Sequence, residues 1–486
     1  MPLPGSPVSL RGLKPPEEDG SALLIPSLEN YGRALDANRA LARGARIGGE
    51  AMAELAAEAR RGALEDALLI HPGIAVKNFV LAARAEALGA AALHITVDSD
   101  EFTAAAAPMP TVREGALARV EYLFHEHQPG TTYESAVVET LGALRARLDG
   151  AARLMADERL AVPAAAFARW RGGWERVVPS GDSFSARAIQ MRRAWEAGAL
   201  ARGYLELPVS RLCAQRPFTA FAAAIARDLP RFVETYNGAL ARYRKEHKLR
   251  YPANPFPDLT RREDGAWEAP FWLATARGRE RWFMAADGGR VMTESGAAHP
   301  LEDLARGALA VRPKAITLSL YLRLLVCDLF IHGVGGSKYD QITDDIIHRY
   351  YGLEPGSYAL ATGTRWIETA RGRDPHKAIA QLAAQKRDRE QHPEKFTDAT
   401  AAELAREKHE LARAIAAPGA DKKSIGARIG ALNALMAQTL APARRAIEEE
   451  ITLQRAREPE WAAASARDYP YFLHAPERVA ELLTPR

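Results

Sequence analysis

Apolar positions change their spacing most abruptly between Leu329 and Tyr351. Leu329, Phe330 and Ile331 form a short continuous run of buried-strand type, whereas Ile342, Ile346, Ile347 and Tyr350 recur at helical spacing. The segment reads as strand, turn and helix, with Gly333, Gly335 and Gly336 in the turn. Ser337 is placed to cap the helix, with Asp340 three residues on in an approximate capping box, and Gly352 followed by Pro355 ends it. Unpaired amides and the helix dipole at such a junction favour a phosphate or carboxylate.

A second alternation lies nearer the N-terminus. Ala67–Ile70 reads as a strand, His71, Pro72 and Gly73 as a loop, and Ile74–Leu88 as a helix closed by Gly89. Ala91–Val97 is the next apolar strand and runs into Asp98, Ser99, Asp100 and Glu101. This is a strand–helix–strand signature, and ligands of parallel sheets sit beyond the carboxyl ends of the strands. His71, Lys77, Asp98 and Asp100 fall there.

Residues 113–312 break the alternation and read as an insertion. It holds a helical stretch over Phe218–Lys248, a β-like region over Trp267–Met284, a hairpin turn at Asp287-Gly288-Gly289 and a shaped loop, YPANPFPDL, over Tyr251–Leu259. Asn254, Asp258 and Trp267 read there as turn-forming and packing residues. Ala315–Ile331 carries Arg323 and Asp328, is too short for a membrane span, and reads as a buried helix leading into the strand. Tyr358–Thr362 is one more strand. Beyond it Thr397–Ala416 and Lys422–Arg457, separated by Pro418-Gly419, read as an antiparallel helical hairpin suited to pairing two copies of the chain. The aromatic tail DYPYFLH, Asp468–His474, is expected to pack back on the body.

Length and charge narrow the function classes. The 486 residues exceed what a single core usually serves. A net charge of +4, with no tract of basic residues interleaved with aromatics, gives no support for nucleic-acid binding. Cys213 and Cys327, far apart and each in an apolar stretch, read as free thiols. Residues 1–20 lack the pattern of a secretory signal and read as a mobile tail, so the expectation is a soluble cytoplasmic protein without a membrane partner.

The candidate chemistry is that of a small anionic ligand or nucleotide. At the junction a P-loop would need Lys followed by Ser or Thr, but Ser337 precedes Lys338, and the dinucleotide fingerprint would need glycine at 338. Neither ATP nor NAD is read from it. Candidate binding residues are Gly73, His332, Gly333, Gly335, Gly336, Ser337 and Lys338; the plainer alternative is that the glycines only let strand and helix approach closely. His71 suits a phosphate or leaving oxygen, or is a loop histidine bonded to backbone. Lys77, a cation early in a helix, needs a ligand anion or a salt bridge to Asp98 or Asp100. Those two carboxylates, at alternate positions, would share a face and hold an amine or a cation. Asp340, Asp344 and His348 align at i, i+4 spacing, which suits a metal but more simply gives a solvated acidic face.

The pieces LLIHPGIAVKN with ITVDSDEF, YLELPVSRLC, YNGALARYRKEH, NPFPDL with EAPFW, and LFIHGVGGSKYDQITDDII, in this order, resemble a bacterial family distantly similar to the cysteine-adding enzyme of bacillithiol synthesis. The resemblance spans about residues 60–365. It implies an α/β protein with a Rossmann-like parallel-sheet core related to class I aminoacyl-tRNA synthetases and nucleotidyltransferases. The implied layout is an N-terminal extension and helix (1–60), a core in two parts (61–112 and 313–365) around an inserted region (113–312), a coiled-coil hairpin that pairs two subunits (366–460) and a tail (461–486). The implied activity joins an amine or thiol compound, such as an amino acid, to a small anionic or sugar-derived metabolite. Leu64, Glu65 and Asp66 stand where relatives are expected to carry Gly-His-Gln, and Val97, Asp98, Ser99 and Asp100 replace a Glu-Asp-His-Asp type run. These departures favour the alternative of a non-catalytic ligand-binding or dimeric scaffold protein.

Overall fold

The spacing change at 329–351 becomes a strand and a helix in the computed structural model, which describes residues 10, 12–41, 45–62, 72–102, 105–137, 141–176, 184–200, 203–276, 278–369, 372–396 and 401–483. Leu64–Asp66, the expected strand Ala67–Ile70 and His71 lie outside the described residues. The protein is mixed α/β with small sheets and divides into two units, one of Met1–Thr111, Val120–Glu368 and Arg467–Arg486, the other of Val112–Arg119 and Thr369–Ala466.

In the first unit the candidate site is framed by strand β1 (Ser21–Ile25), helix α1 (Pro72–Leu88), strand β2 (Leu93–Thr96), helix α2 (Phe184–Glu196), strand β3 (Leu205–Pro208), strand β4 (Phe330–His332), helix α3 (Val334–Tyr351) and strand β5 (Tyr358–Thr364). Parallel pairing joins β2 to β3, with Leu93 opposite Leu205, and β4 to β5, with Phe330 opposite Tyr358. β1 adds antiparallel to β5, so the order in that sheet is β1-β5-β4. Val80 of α1 covers Ala359 and Ala361 of β5. Gly89, in the left-handed region at φ +59, stops α1 as its position after the last helical residue requires.

Residues 207–311 contribute much of a large core cluster. Helices Arg216–Arg227 and Leu229–His247 bury Phe218, Phe221, Phe232 and Tyr236 against Phe271 and Trp282 of an antiparallel sheet, and Ile342, Ile346 and Ile347 of α3 join the same cluster. The expected helix over 218–248 is two helices, because Pro230 starts a new one after Asp228. Tyr471 and Phe472 of the tail pack on Trp195 and Trp170.

A buried cation ties the junction together. Ala315–Tyr321 is α-helical and Leu322–Val326 is a π-helical turn, in which Arg323 is 4% exposed. Its guanidinium donates to Asp340, to Asp344 Oδ1 at 2.6 Å and to the Gly356 carbonyl at 2.6 Å. Asp340 also lies 3.1 Å from His332 Nε2. Burial alone would raise the Asp340 carboxyl, but Arg323 and His332 outweigh it and hold the group well below the usual carboxylate range. The acidic face of α3 is therefore neither solvated nor a metal site: Asp340 and Asp344 clamp an arginine, and exposed His348 faces Glu354 at 3.5 Å. Among the described residues no group of three metal-ligating side chains occurs.

Three further expectations are corrected. The helix begins at Val334 with Gly333 as N-cap, four residues before the expected cap Ser337, so Gly335 and Gly336 belong to its first turn. Ser337 is fully buried and its hydroxyl donates to the Val334 carbonyl. Residues before β1 are held rather than mobile from about Pro16: Gly20 donates to Thr364 at 2.9 Å, and Trp366 donates to Asp19 and Glu17.

The second unit contains helices Pro375–Gln391, Ala402–Ala414, Lys422–Thr439, Ala441–Ala456 and Glu458–Ala464. Leu404, Ala405 and Leu411 pack on Leu432 and Met436, and Lys386 pairs with Glu448 at 2.7 Å. The expected single arm Lys422–Arg457 is two helices, since Pro442 opens the second just after Leu440.

Arg323→Met leaves two buried carboxylates without their cation, and urea unfolding at pH 7 should show a loss of about 3–5 kcal/mol. Asp340 has a depressed folded pKa, so its contribution is present above its unfolded value of about 3.9 and is lost as pH falls. The gap between variant and wild type should therefore narrow in acid; a loss under about 1 kcal/mol at pH 7 would contradict the clamp.

Candidate functional site

Between β2 and β4 lies a cavity of about 300 Å³, lined by Lys77 and Asn78 of α1, Leu93–Ile95, residues 329–332, and Leu318, Leu322 and Val326 of the helix that ends in the π turn. That size is at the lower end of small-molecule sites, and the lining fits their usual make-up of apolar walls with few polar groups. The branched and aromatic residues that make β2 and β4 strands supply the apolar walls; α1 and the strand ends supply the polar groups.

Lys77 is the exceptional wall residue. Val76 and Val80 anchor α1 in the core, and Lys77 is half-buried, its ammonium so close to Gly333 that a β-carbon there would sit 3.9 Å from Nζ. No described carboxylate pairs with it. Asp98 accepts from Ser210 N at 2.9 Å and from the Ser210 hydroxyl, and Asp100 pairs with Arg279 at 2.5 Å. Burial pushes the lysine down to about 8. A cation beside the start of a helix is also opposed by the helix dipole. Two unfavourable terms therefore act on this charge, and no described carboxylate lies against it.

The floor beside Lys77 is a buried polar network. Asn78 Nδ2 donates to Glu196 Oε1 at 2.7 Å and to the Tyr204 hydroxyl at 3.2 Å, which turns its Oδ1 toward His94 Nδ1, 2.8 Å away. Tyr204 donates to Glu196, and fully buried Arg192 contacts Glu206. The His94 ring lies over Tyr204 with centroids 5.8 Å apart. Burial, Arg192 and Lys77 hold this imidazole well below its ordinary pKa, so it is neutral at pH 7.

The expected site residues are only partly brought together. Lys77 and His332 both line the cavity and Lys77 reaches toward Gly333, although the His332 ring is committed to Asp340. Gly336 serves close packing, because a β-carbon there would come 2.6 Å from His332 Nδ1. Gly335 is exposed, Ser337 is sealed inside α3, Gly73 sits in the first turn of α1, and Lys338 does not line the cavity. Asp98 and Asp100 do not share a face. β2 ends at Thr96, so the strand alternation lapses before them, leaving Asp98 3% exposed and Asp100 on the surface. Asp98 tethers the short helix Val209–Cys213, and burial pushes its carboxyl up. Asn78 and His94 were missed; the polar positions within the apolar runs Ile74–Leu88 and Ala91–Val97 were their only sign.

No protein-family model matches the chain, and no curated protein matches it.

Lys77→Met removes a half-buried charge with no described partner, so the ligand-free protein should gain stability at pH 7, on the order of 1 kcal/mol. The wild-type penalty is full below about pH 8 and fades toward the unfolded value near 10.5. The gain should shrink over that window in thermal-melt measurements; a destabilised variant would show that Lys77 has a partner.

Proposed function

We propose that the chain binds a small anionic metabolite, phosphorylated or carboxylated, in the cavity between β2 and β4. The observation that carries this is the Lys77 ammonium, which faces the start of α3 without a described carboxylate. An anion there would relieve both the desolvation and the dipole opposition of that charge. The anion's place moves from the glycine turn, as first expected, to Lys77. The reaction class that suits the family resemblance is the joining of an amine or thiol compound to this metabolite within a Rossmann-like core, of which the parallel pairs β2–β3 and β4–β5 would be parts.

A second reading, a non-catalytic binding protein that retained such a fold, is favoured by one observation: Asp98 and Asp100, the groups that would orient an amine, are engaged by Ser210 and Arg279. Pairing of two subunits through the helices of 402–456 is also part of this proposal, on the ground that Leu435 and Leu453 are 47% and 60% exposed.

Thermal shifts with phosphate monoesters, nucleotides, aminosugars and amino acids should rise for anionic members, and Lys77→Met should remove the rise. No shift with any anion would refute the site. Incubation of the responding anion with an amine or thiol, followed by mass spectrometry, separates the two readings: a joined product supports the enzyme, and none the binder. Sedimentation of the full chain should give a dimer that Leu435→Lys with Leu453→Lys converts to monomer; an unchanged mass would exclude this face.

A further inference from the structure

The cavity presents two different polar atoms, and together they restrict what can fill it. Lys77 offers charge. His94 offers a lone pair, and the surrounding hydrogen bonds fix which nitrogen carries it. Both Asn78 amide protons are directed at Glu196 and Tyr204, so the atom facing His94 Nδ1 is the Asn78 carbonyl oxygen, an acceptor. Nδ1 must therefore bear the proton, and Nε2 is left as an acceptor. With Nδ1 on Asn78 and one ring face over Tyr204, His94 meets the cavity through the rest of its ring.

We infer that the ligand carries an uncharged hydrogen-bond donor, a hydroxyl, next to its anionic group, with the hydroxyl donating to His94 Nε2 and the anion on Lys77. This is the chemistry of a sugar phosphate, a polyol phosphate or a hydroxy acid. It rests on the anionic-ligand reading above and narrows it.

The charges around the imidazole decide between a hydroxyl and an ammonium as donor. Lys77 of α1 and Arg192 of α2 are the cations that act on it, while Glu206, opposite His94 in the paired strand, lies beside it, against Arg192 and 3.9 Å from Nδ1, and Glu196 holds Asn78. No described carboxylate lines the cavity itself. A ligand ammonium on Nε2 would add a third positive charge with no described carboxylate in the cavity lining to balance it, whereas a hydroxyl adds none. The depressed basicity of His94 agrees with this: the ring stays neutral and its Nε2 stays an acceptor.

Matched pairs test the inference by calorimetry on the full chain: glycerol 1-phosphate against propyl phosphate, and glycerate against propionate, with phosphoethanolamine as the amine-bearing probe. The pair that binds identifies the anion. Its hydroxylated member should bind about 2- to 10-fold tighter, the span of one net hydrogen bond. Phosphoethanolamine should gain nothing over propyl phosphate. In His94→Phe, which keeps a ring over Tyr204, the ratio should fall to about 1, while Lys77→Met weakens both members. If that phenylalanine variant does not fold, the nitrogen chemical shifts of His94 in the wild type replace it: an unprotonated Nε2 that shifts with glycerol phosphate and not with propyl phosphate supports the contact. Equal affinities within the binding pair, or tighter binding of phosphoethanolamine, overturn the hydroxyl assignment and leave the anion site standing. Failure of every anion to bind overturns both.

Discussion

A guanidinium removed from water must find its hydrogen-bond acceptors inside the protein, and the first unit is organised around how Arg323 does so. Two carboxylates of α3 and the Gly356 carbonyl meet it, so the π turn, the helix and the approach to β5 are fixed relative to one another by a single side chain. His332 is drawn in through Asp340, and Gly336 is bare because the His332 ring needs the space. The glycine-rich junction is thus explained by packing around a buried ion cluster. Charge matching of this kind contributes geometric definition more dependably than net stability.

Lys77 follows the opposite rule. Where Arg323 is surrounded by acceptors, Lys77 is left with a cavity, and beside it Asn78, Glu196 and Tyr204 are joined by hydrogen bonds while Arg192 pairs with Glu206. The hydrogen bonds of Asn78 fix the orientation of His94, so the cavity has a set pattern of donor and acceptor before anything enters.

Local periodicity in the sequence showed much of the architecture. The helix ending at Leu88, a strand within Ala91–Val97, the strand–helix junction at 330–351 and the Asp287-Gly288-Gly289 turn all follow from spacing and turn residues. What spacing does not carry is the partner across the fold. Asp98 looked like a ligand because its tether to Ser210 lies 112 positions away, and Asp340 with Asp344 looked like a solvated face because Arg323 sits in another helix. Ser337 looked like a cap because glycines resemble a turn, yet the first turn of a helix tolerates them. Continuity of the expected parallel core is a separate matter, since the parallel pairs lie in different sheets among the described residues.

The π turn at Leu322–Val326 admits a further consequence. It widens one turn to hold an additional residue, and within that turn Arg323 faces the ion cluster while Leu322 and Val326 face the cavity. Loss of one residue there would rewind the segment to ordinary pitch and rotate everything beyond it by about 100°, separating cation from carboxylates and stripping the apolar wall in one step. Relatives of this chain should therefore tolerate side-chain changes in the turn far better than changes in its length, and a gap at this point in an alignment would mark a lineage in which the cluster and the cavity were given up together.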